Sequence, residues 1–227
     1  NCNNLDLNFS NTTFLNDNFA NIADLTSEGD VSLSGTITTS GSQDYKANAN
    51  LTADTTLQGD SLTFTNGVDG NSNNLDLNFS QTTSLDGSFT NIADLTSEGN
   101  VSLNGSITTS GAQTYKADTI LSGDTDIVTS GGDVTITGGT EGIYSAEVLP
   151  AGTGYNLSIN SGSGNIIVGN ETGFGNNNGT DALVNDLSLS SSTSTKIGSG
   201  SQSIGGEMAV PGGPLTLMGD TLLGGRS

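Results

Sequence analysis

Residues 3–47 read NNLDLNFSNTTFLNDNFANIADLTSEGDVSLSGTITTSGSQDYKA, and residues 73–117 read NNLDLNFSQTTSLDGSFTNIADLTSEGNVSLNGSITTSGAQTYKA. The two stretches align without a gap, Asn3 on Asn73 and Ala47 on Ala117. The alignment runs on to Leu57 and Ile127, with 37 identities in 55 positions. Self-similarity at a fixed long period is the sequence signature of stacked repeat architectures. Leu5, Leu7, Phe9, Ile22, Leu25, Val31, Leu33, Ile37, Tyr45 and Leu51 all recur as the same residue 70 positions later, while the substitutions fall mostly on small polar positions. A disordered repeat has little reason to keep an apolar lattice, so the repeat predicts order.

Within each copy the apolar residues alternate with small polar ones, as in Leu5-x-Leu7-x-Phe9, Val31-x-Leu33, Leu62-x-Phe64, Val101-x-Leu103, Val134-x-Ile136 and Leu187-x-Leu189. Period-two alternation places one face of a strand inside and the other in water. No segment sustains the apolar spacing of a helix, and Gly, Asn and Ser interrupt the strands every few residues as turn formers. A degenerate third copy is visible in Asn156–Ile159, Asp186–Leu189 and Gly200–Ile204. The expected organisation is a single solenoid with repeats at about 3–72, 73–142 and 155–227.

The composition agrees with a thin core. Of the 227 residues 31% are hydrophobic and 5% aromatic, with no Trp and no His. A globular sandwich needs larger core side chains. A solenoid needs only one to three per strand, because each coil stacks on the next. The predicted fold is therefore all-β, a parallel β-helix, expected to be right-handed. If the 70-residue repeat makes three coils, each holds about 23 residues, and about ten coils at roughly 4.8 Å give a rod near 48 Å long.

Charge and cysteine usage exclude several functions. The formal net charge is −20, and the only basic residues are Lys46, Lys116, Lys196 and Arg226. Such a surface repels nucleic acid and anionic lipid, and salt-bridge networks cannot hold this fold. With Cys2 as the one cysteine, neither an intrachain disulfide nor a zinc site can be built; an exposed thiol is the plain reading of Cys2. No apolar run approaches the length of a membrane span, so membrane insertion is not expected. A chain that begins at Asn1 is expected to be a processed protein or a piece of a longer one.

The stretches Ile107–Tyr115 (ITTSGAQTY), Asp118–Asp126 (DTILSGDTD) and Val134–Ile136, with Gly41–Tyr45 and Leu51–Leu57 in the first copy and Ser161–Val168 (SGSGNIIV), resemble the repeats of giant secreted bacterial surface proteins, the filamentous-haemagglutinin-like adhesins and exoproteins. Repeats in those proteins often read TTGAQTY, then TLGADTTLTG, then VTF. The resemblance covers most of residues 3–168. It implies secretion, a β-helical shaft and a role in adhesion or cell-surface fibres, with an extracellular or cell-surface location on a bacterium.

Few residues suggest chemistry. Without His there is no Ser-His-Asp or Cys-His arrangement. Lys46 and Lys116 occupy equivalent repeat positions, which points to architecture rather than catalysis. No enzyme activity and no cofactor are expected. Calcium is the one ion the composition leaves open. Asp69-Gly-Asn71-Ser-Asn73 starts like a calcium loop but has Asn74 and Ser80 where the loop needs Gly and an acid, and Asp124-Thr-Asp126 is generic. The repeated motif of Gly41, Gln43 and Tyr45, matched by Gly111, Gln113 and Tyr115, is read as structural. The tyrosines should cover the interior near a corner, and the glutamines should satisfy backbone groups there.

The expected function is a non-catalytic shaft or subunit of an extracellular fibre, sheath or adhesin. The alternative is a surface module binding carbohydrate or protein. A glycan-active β-helix enzyme, which needs a carboxylate cluster in one cleft, ranks below these, and so does an ice-binding protein, since no regular Thr ladder is evident. The expected partners are further copies, end to end or laterally, or a covalent continuation of the chain.

Overall fold

The computed structural model describes residues 2–139, 142–146, 154–169 and 184–197, together with the backbone of Met208–Ala209 and Leu215–Leu217. The Gly200–Ile204 match and most of the tail from Pro211 lie outside the described residues. Among the described residues every element is a strand, none is a helix, and every ladder is parallel. The strands form a β-solenoid in which the chain visits three faces in turn, here called A, B and C.

The ladder on face A runs Leu5, Leu25, Gln43, Leu62, Thr83, Val101, Thr119, Ile143. Its eight levels make about seven turns. Face B runs from Thr13 through Val31, Ala49, Val68, Phe89, Ile107 and Ile127 to Ile159 and Leu189. Face C runs Phe19, Ile37, Leu57, Leu77, Ser97, Tyr115, Ile136, Val168, Ile197, Leu217. At roughly 4.8 Å per level, the ten levels of face C span about 43 Å.

Hydrogen bonds between adjacent levels of face C measure the coil. Asn18 with Thr36 and Asp94 with Ala112 lie 18 apart in sequence, and Asp54 with Asn74 lies 20 apart. Higher up the coils lengthen, to 32 from Asp133 to Asn165 and 29 from Asn165 to Ser194. The expectation of a 23-residue coil is thus corrected. The reason lies in how the repeat divides into strands. From Leu25 the chain turns inward at Val31, Ile37, Gln43, Ala49, Thr55, Leu62, Val68, Leu75, Thr83 and Phe89 before reaching Leu95, the repeat counterpart of Leu25, and all of these are buried. Eleven inward segments make one repeat and three make one coil, so the repeat advances three and two-thirds coils. Leu25 lies on face A and Leu95 on face C, while Ile37 lies on face C and Ile107 on face B. Each copy is the previous one translated up the rod and turned by one third of a revolution.

Most segments follow a six-residue rule in which the first and third residues are buried, as in Leu25 and Ser27, Val31 and Leu33, or Gln113 and Tyr115. The side chain between them faces outward. Tight bends join the segments. Gly35 and Gly105 bend their strands at φ +74 and +103, and each lies close over the backbone of the coil below, Asp17 and Gly87 respectively. A Cβ at Gly35 would stand 2.5 Å from the Asp17 carbonyl oxygen, so only glycine fits.

The core is one continuous column of Leu, Ile, Val and a few aromatics. Three of its aromatic rings, Tyr45, Phe64 and Phe89, meet in one cluster. Tyr45 stacks on Phe64 at 5.0 Å between ring centres, and Phe64 meets Phe89 edge-on at 5.8 Å. Such pairs contribute about 0.5–1.5 kcal/mol beyond area burial.

Candidate functional site

The Gly-x-Gln-x-Tyr motif builds a corner. Gln43 and Tyr45 are the two inward residues of the short strand Gln43–Tyr45, and both are buried. The Gln43 Nε2 donates to the Ile37 carbonyl of its own coil at 3.1 Å and to the Gln58 carbonyl of the next at 2.8 Å. Its Oε1 accepts from the Tyr45 hydroxyl at 2.9 Å. Gln113 repeats this, donating to Ile107 at 3.1 Å and Val128 at 2.9 Å and accepting from Tyr115 at 2.7 Å. The amide bridges carbonyls of two successive coils at the corner, and the phenol fills the column beside it. Burial pushes both phenols well above their ordinary range.

Gly41 and Gly111 complete the corner in two ways. Their carbonyls accept from the hydroxyls of Thr39 and Thr109, both at 2.8 Å. They also leave room for Asp24 and Asp94, whose carboxylates a Cβ at either glycine would strike. Asp24 Oδ1 thereby accepts from the Ser42 N–H at 2.8 Å, and Asp94 Oδ1 from the Ala112 N–H at 2.6 Å.

Those aspartates belong to a wider set that motif reading overlooked. In eleven places an Asp or Asn directly before an inward residue accepts, through Oδ1, the backbone N–H of the matching position one coil up. The acceptors are Asn18, Asp24, Asp30, Asp54, Asn74, Asp94, Asn100, Asp118, Asp124, Asp133 and Asn156. Above the seven aspartates stand Ser42, Asn48, Asn74, Ala112, Gly142, Asn156 and Asn165, never a second carboxylate. Two carboxylates at coil spacing repel by about 1 kcal/mol in water and several times that where solvent is partly excluded. Alternation with amides and small residues keeps the staples and avoids that repulsion. Seven of the chain's 24 acidic residues are used in this corner chemistry. The signal in the sequence was the Asp or Asn before many of the apolar-x-apolar pairs, as at Asp30 before Val31 and Asn100 before Val101.

Two surface ion pairs also repeat, Lys46 with Glu28 at 2.6 Å and Lys116 with Glu98 at 2.5 Å. The hydrogen bond to Glu28 holds the Lys46 ammonium above its ordinary pKa. Both pairs are wet and screened by salt, so they lend little stability. On the outside of face C, Asp76 sits between Thr56 and Thr96, and partial burial raises its carboxyl.

The loop at Asp69–Asn73 is closed by amide donors. Asp69 Oδ1 accepts from the Asn71 N–H at 3.2 Å and from Asn91 Nδ2 at 3.1 Å. Asn71 Nδ2 donates to Asn50 Oδ1 at 2.6 Å and to the Leu51 carbonyl at 2.9 Å. Asp124 is a corner staple. Among the described residues no group of three or more acids, His or Cys could share a metal ion, and no helix is long and apolar enough to cross a membrane. On the outside of face C the Thr36, Thr56, Asp76, Thr96, Thr114, Thr135 column is one residue wide, and Thr38 is followed one level up by Gln58 and then Asn78.

Two shallow clefts lie on face B. One, about 460 Å³, is lined by Asn48, Asn50, Asn66, Asp69, Asn71, Ser88 and Thr90 among others. The other, about 420 Å³, is lined by Asp124, Asp126, Asn156, Ser158, Asp186 and Ser188 with their neighbours. A third, about 310 Å³, opens at the first coil beside Phe9, Ser10, Asn11, Thr12 and Thr13.

No protein-family model, no curated protein and no solved structure matches this chain.

Proposed function

We propose that this chain is a shaft or subunit of an extracellular bacterial fibre, sheath or adhesin and carries out no chemistry. The observation that carries this reading is the use made of the reactive-looking residues. The repeated Gln–Tyr pairs and seven aspartates bind one coil to the next, and the lysines of the repeat pair with glutamates on the adjacent coil. The likeness of the repeats to those of large exoproteins supports the same reading. So does the parallel ladder itself, which transmits load along the rod through backbone hydrogen bonds at every level.

A second reading is favoured by the amide-lined cleft on face B. Asn48, Asn50, Asn66 and Asn71 offer donors and acceptors of the kind that hydrogen-bond sugar hydroxyls, so a carbohydrate-binding module is the alternative.

The test has two arms. Purified chain is incubated with a panel of polysaccharides and assayed for released ends and for binding, and antibodies to residues 73–139 are applied to intact cells of the source for immunogold microscopy. Surface label with no bond cleavage and no saturable binding supports the shaft. Saturable binding lost on Asn50→Ala favours the binding module. Bond cleavage, or label confined to the cell interior, overturns the proposal.

A further inference from the structure

The two clefts on face B lie on one line. Outward positions on that face form a continuous column, Gly67, Ser88, Ser106, Asp126, Ser158 and Ser188, each one level above the last. Gly67 and Ser88 line the lower cleft of about 460 Å³, and Asp126, Ser158 and Ser188 line the upper cleft of about 420 Å³. Ser106 stands between them. A second outward column runs beside the lower cleft, with Asn50, Asp69 and Thr90 on successive levels. Six levels at roughly 4.8 Å make a polar track about 24 Å long, parallel to the rod axis.

The fold leaves polar groups along this track free. Elsewhere on the outside serine hydroxyls are engaged, Ser84 with Asp86, Ser102 with Ser122 and Ser194 with Asn165. The hydroxyls of Ser88, Ser106, Ser158 and Ser188 and the carboxylate of Asp126 have no hydrogen-bond partner among the described residues. Ser32 takes the outward position directly under Asn50. It is 2% exposed, and its hydroxyl has no partner. A ligand oxygen held at Asn50 would give that hydroxyl an acceptor.

The lining also selects the ligand. Asp69, Asp124, Asp126 and Asp186 line the clefts, and no Lys, Arg or aromatic ring does. Anionic glycans are therefore repelled, and a sugar finds no flat ring to stack on. Each level contributes only a weak set of hydrogen bonds, so useful affinity requires many levels at once. An extended neutral polysaccharide meets that requirement. Its sugars follow one another at close to the coil spacing of roughly 4.8 Å, so the hydroxyls of successive rings meet successive levels.

Resting on the carbohydrate-binding reading of face B, we propose that the two clefts are the ends of one groove. It holds about six residues of a neutral, extended, β-linked polysaccharide along the rod axis, one sugar per coil.

The test is calorimetric titration of the full chain with cello- and manno-oligosaccharides from dimer to octamer, and with oligogalacturonate as the charged control. Wild type is compared with Ser106→Leu. Ser106 faces outward between the clefts and is half-buried, so the substitution obstructs the track without entering the core, and an unchanged unfolding temperature checks this. The expected affinity of neutral chains rises by at least about tenfold from trimer to hexamer and then levels off. Ser106→Leu returns the hexamer to the affinity of the trimer and leaves the trimer bound as before, and oligogalacturonate does not bind. A plateau already at the dimer or trimer, a hexamer unaffected by Ser106→Leu, or equal binding of oligogalacturonate overturns the groove and leaves a carbohydrate site in the separate clefts standing. Failure of every oligosaccharide to bind overturns the groove and the carbohydrate-binding reading together, and leaves the shaft reading untouched.

Discussion

The corner at Gln43 and Tyr45 and the corner at Gln113 and Tyr115 have the same sequence signature on different faces of the rod, A and C. Their hydrogen bonds agree partner for partner. The amide lies 3.1 Å from the carbonyl of its own coil in both, and 2.8 Å or 2.9 Å from the carbonyl of the next. The phenol donates to the amide oxygen in both. Their neighbours do not agree. Tyr45 lies under Phe64 and stacks on it, whereas Tyr115 lies under Ile136. The corner is thus a local unit, written in one coil and its neighbour, and indifferent to which face it occupies. Packing above it varies freely as long as the column is filled.

Equal bonds predict equal penalties. Gln43→Leu and Gln113→Leu each remove two amide hydrogen bonds to corner carbonyls and leave a buried phenol without its acceptor, and each should cost about 2–4 kcal/mol in urea unfolding. A large inequality between them would break the equivalence of the two corners.

The phenols give a second shared signature. Burial raises both above the ordinary value near 10, so the unfolded chain loses these protons first as pH climbs. Stability is unaffected below about pH 10 and falls above it by roughly 1.4 kcal/mol per pH unit for each tyrosine. Alkaline titration of the Tyr45→Phe and Tyr115→Phe variants should show the slope reduced by one equal step for each change.

Next in size is a charge effect. Asn74 stands between Asp54 below and Asp94 above in one staple column. Asn74→Asp would stack three carboxylates and should destabilise by about 1–2 kcal/mol at low ionic strength. Most of that loss should be recovered in 1 M salt, where the screening length falls to about 3 Å. A salt-independent loss would mean that steric fit rather than repulsion dictates the alternation.

The smallest effect separates the two corners. Tyr45→Leu loses the stacked pair with Phe64 and Tyr115→Leu does not, so the former should cost about 0.5–1.5 kcal/mol more. Equal losses would show that the stack contributes nothing beyond filled volume.

Much of this architecture was legible in the sequence. Period-two alternation in Leu5-x-Leu7 and Val31-x-Leu33 announces strands, and the retained apolar lattice announces stacking. The coil length was not legible from the repeat, because a repeat need not be a whole number of coils when three faces are chemically equivalent. The six-residue spacing of Leu25, Val31, Ile37, Gln43, Ala49 and Thr55 carries that information, but Gln43, Ala49 and Thr55 are not the large apolar residues that an eye for hydrophobic periodicity collects. The aspartate staples were obscured for a similar reason. An Asp before a strand reads as a solvated turn residue until the coil above supplies the N–H that it accepts.

The central claim is the phase: three inward segments per coil, eleven per repeat. Cysteine cross-linking in a Cys2→Ser background tests it directly. Thr96 and Thr114 are outward neighbours on adjacent levels of face C, at a Cα spacing of roughly 4.8 Å that a disulfide accommodates. Thr96→Cys with Thr114→Cys should close an intramolecular disulfide on mild oxidation, and Thr96→Cys with Thr119→Cys should not, because Thr119 is buried under face A. Closure of the second pair instead of the first would restore a 23-residue coil and contradict the account.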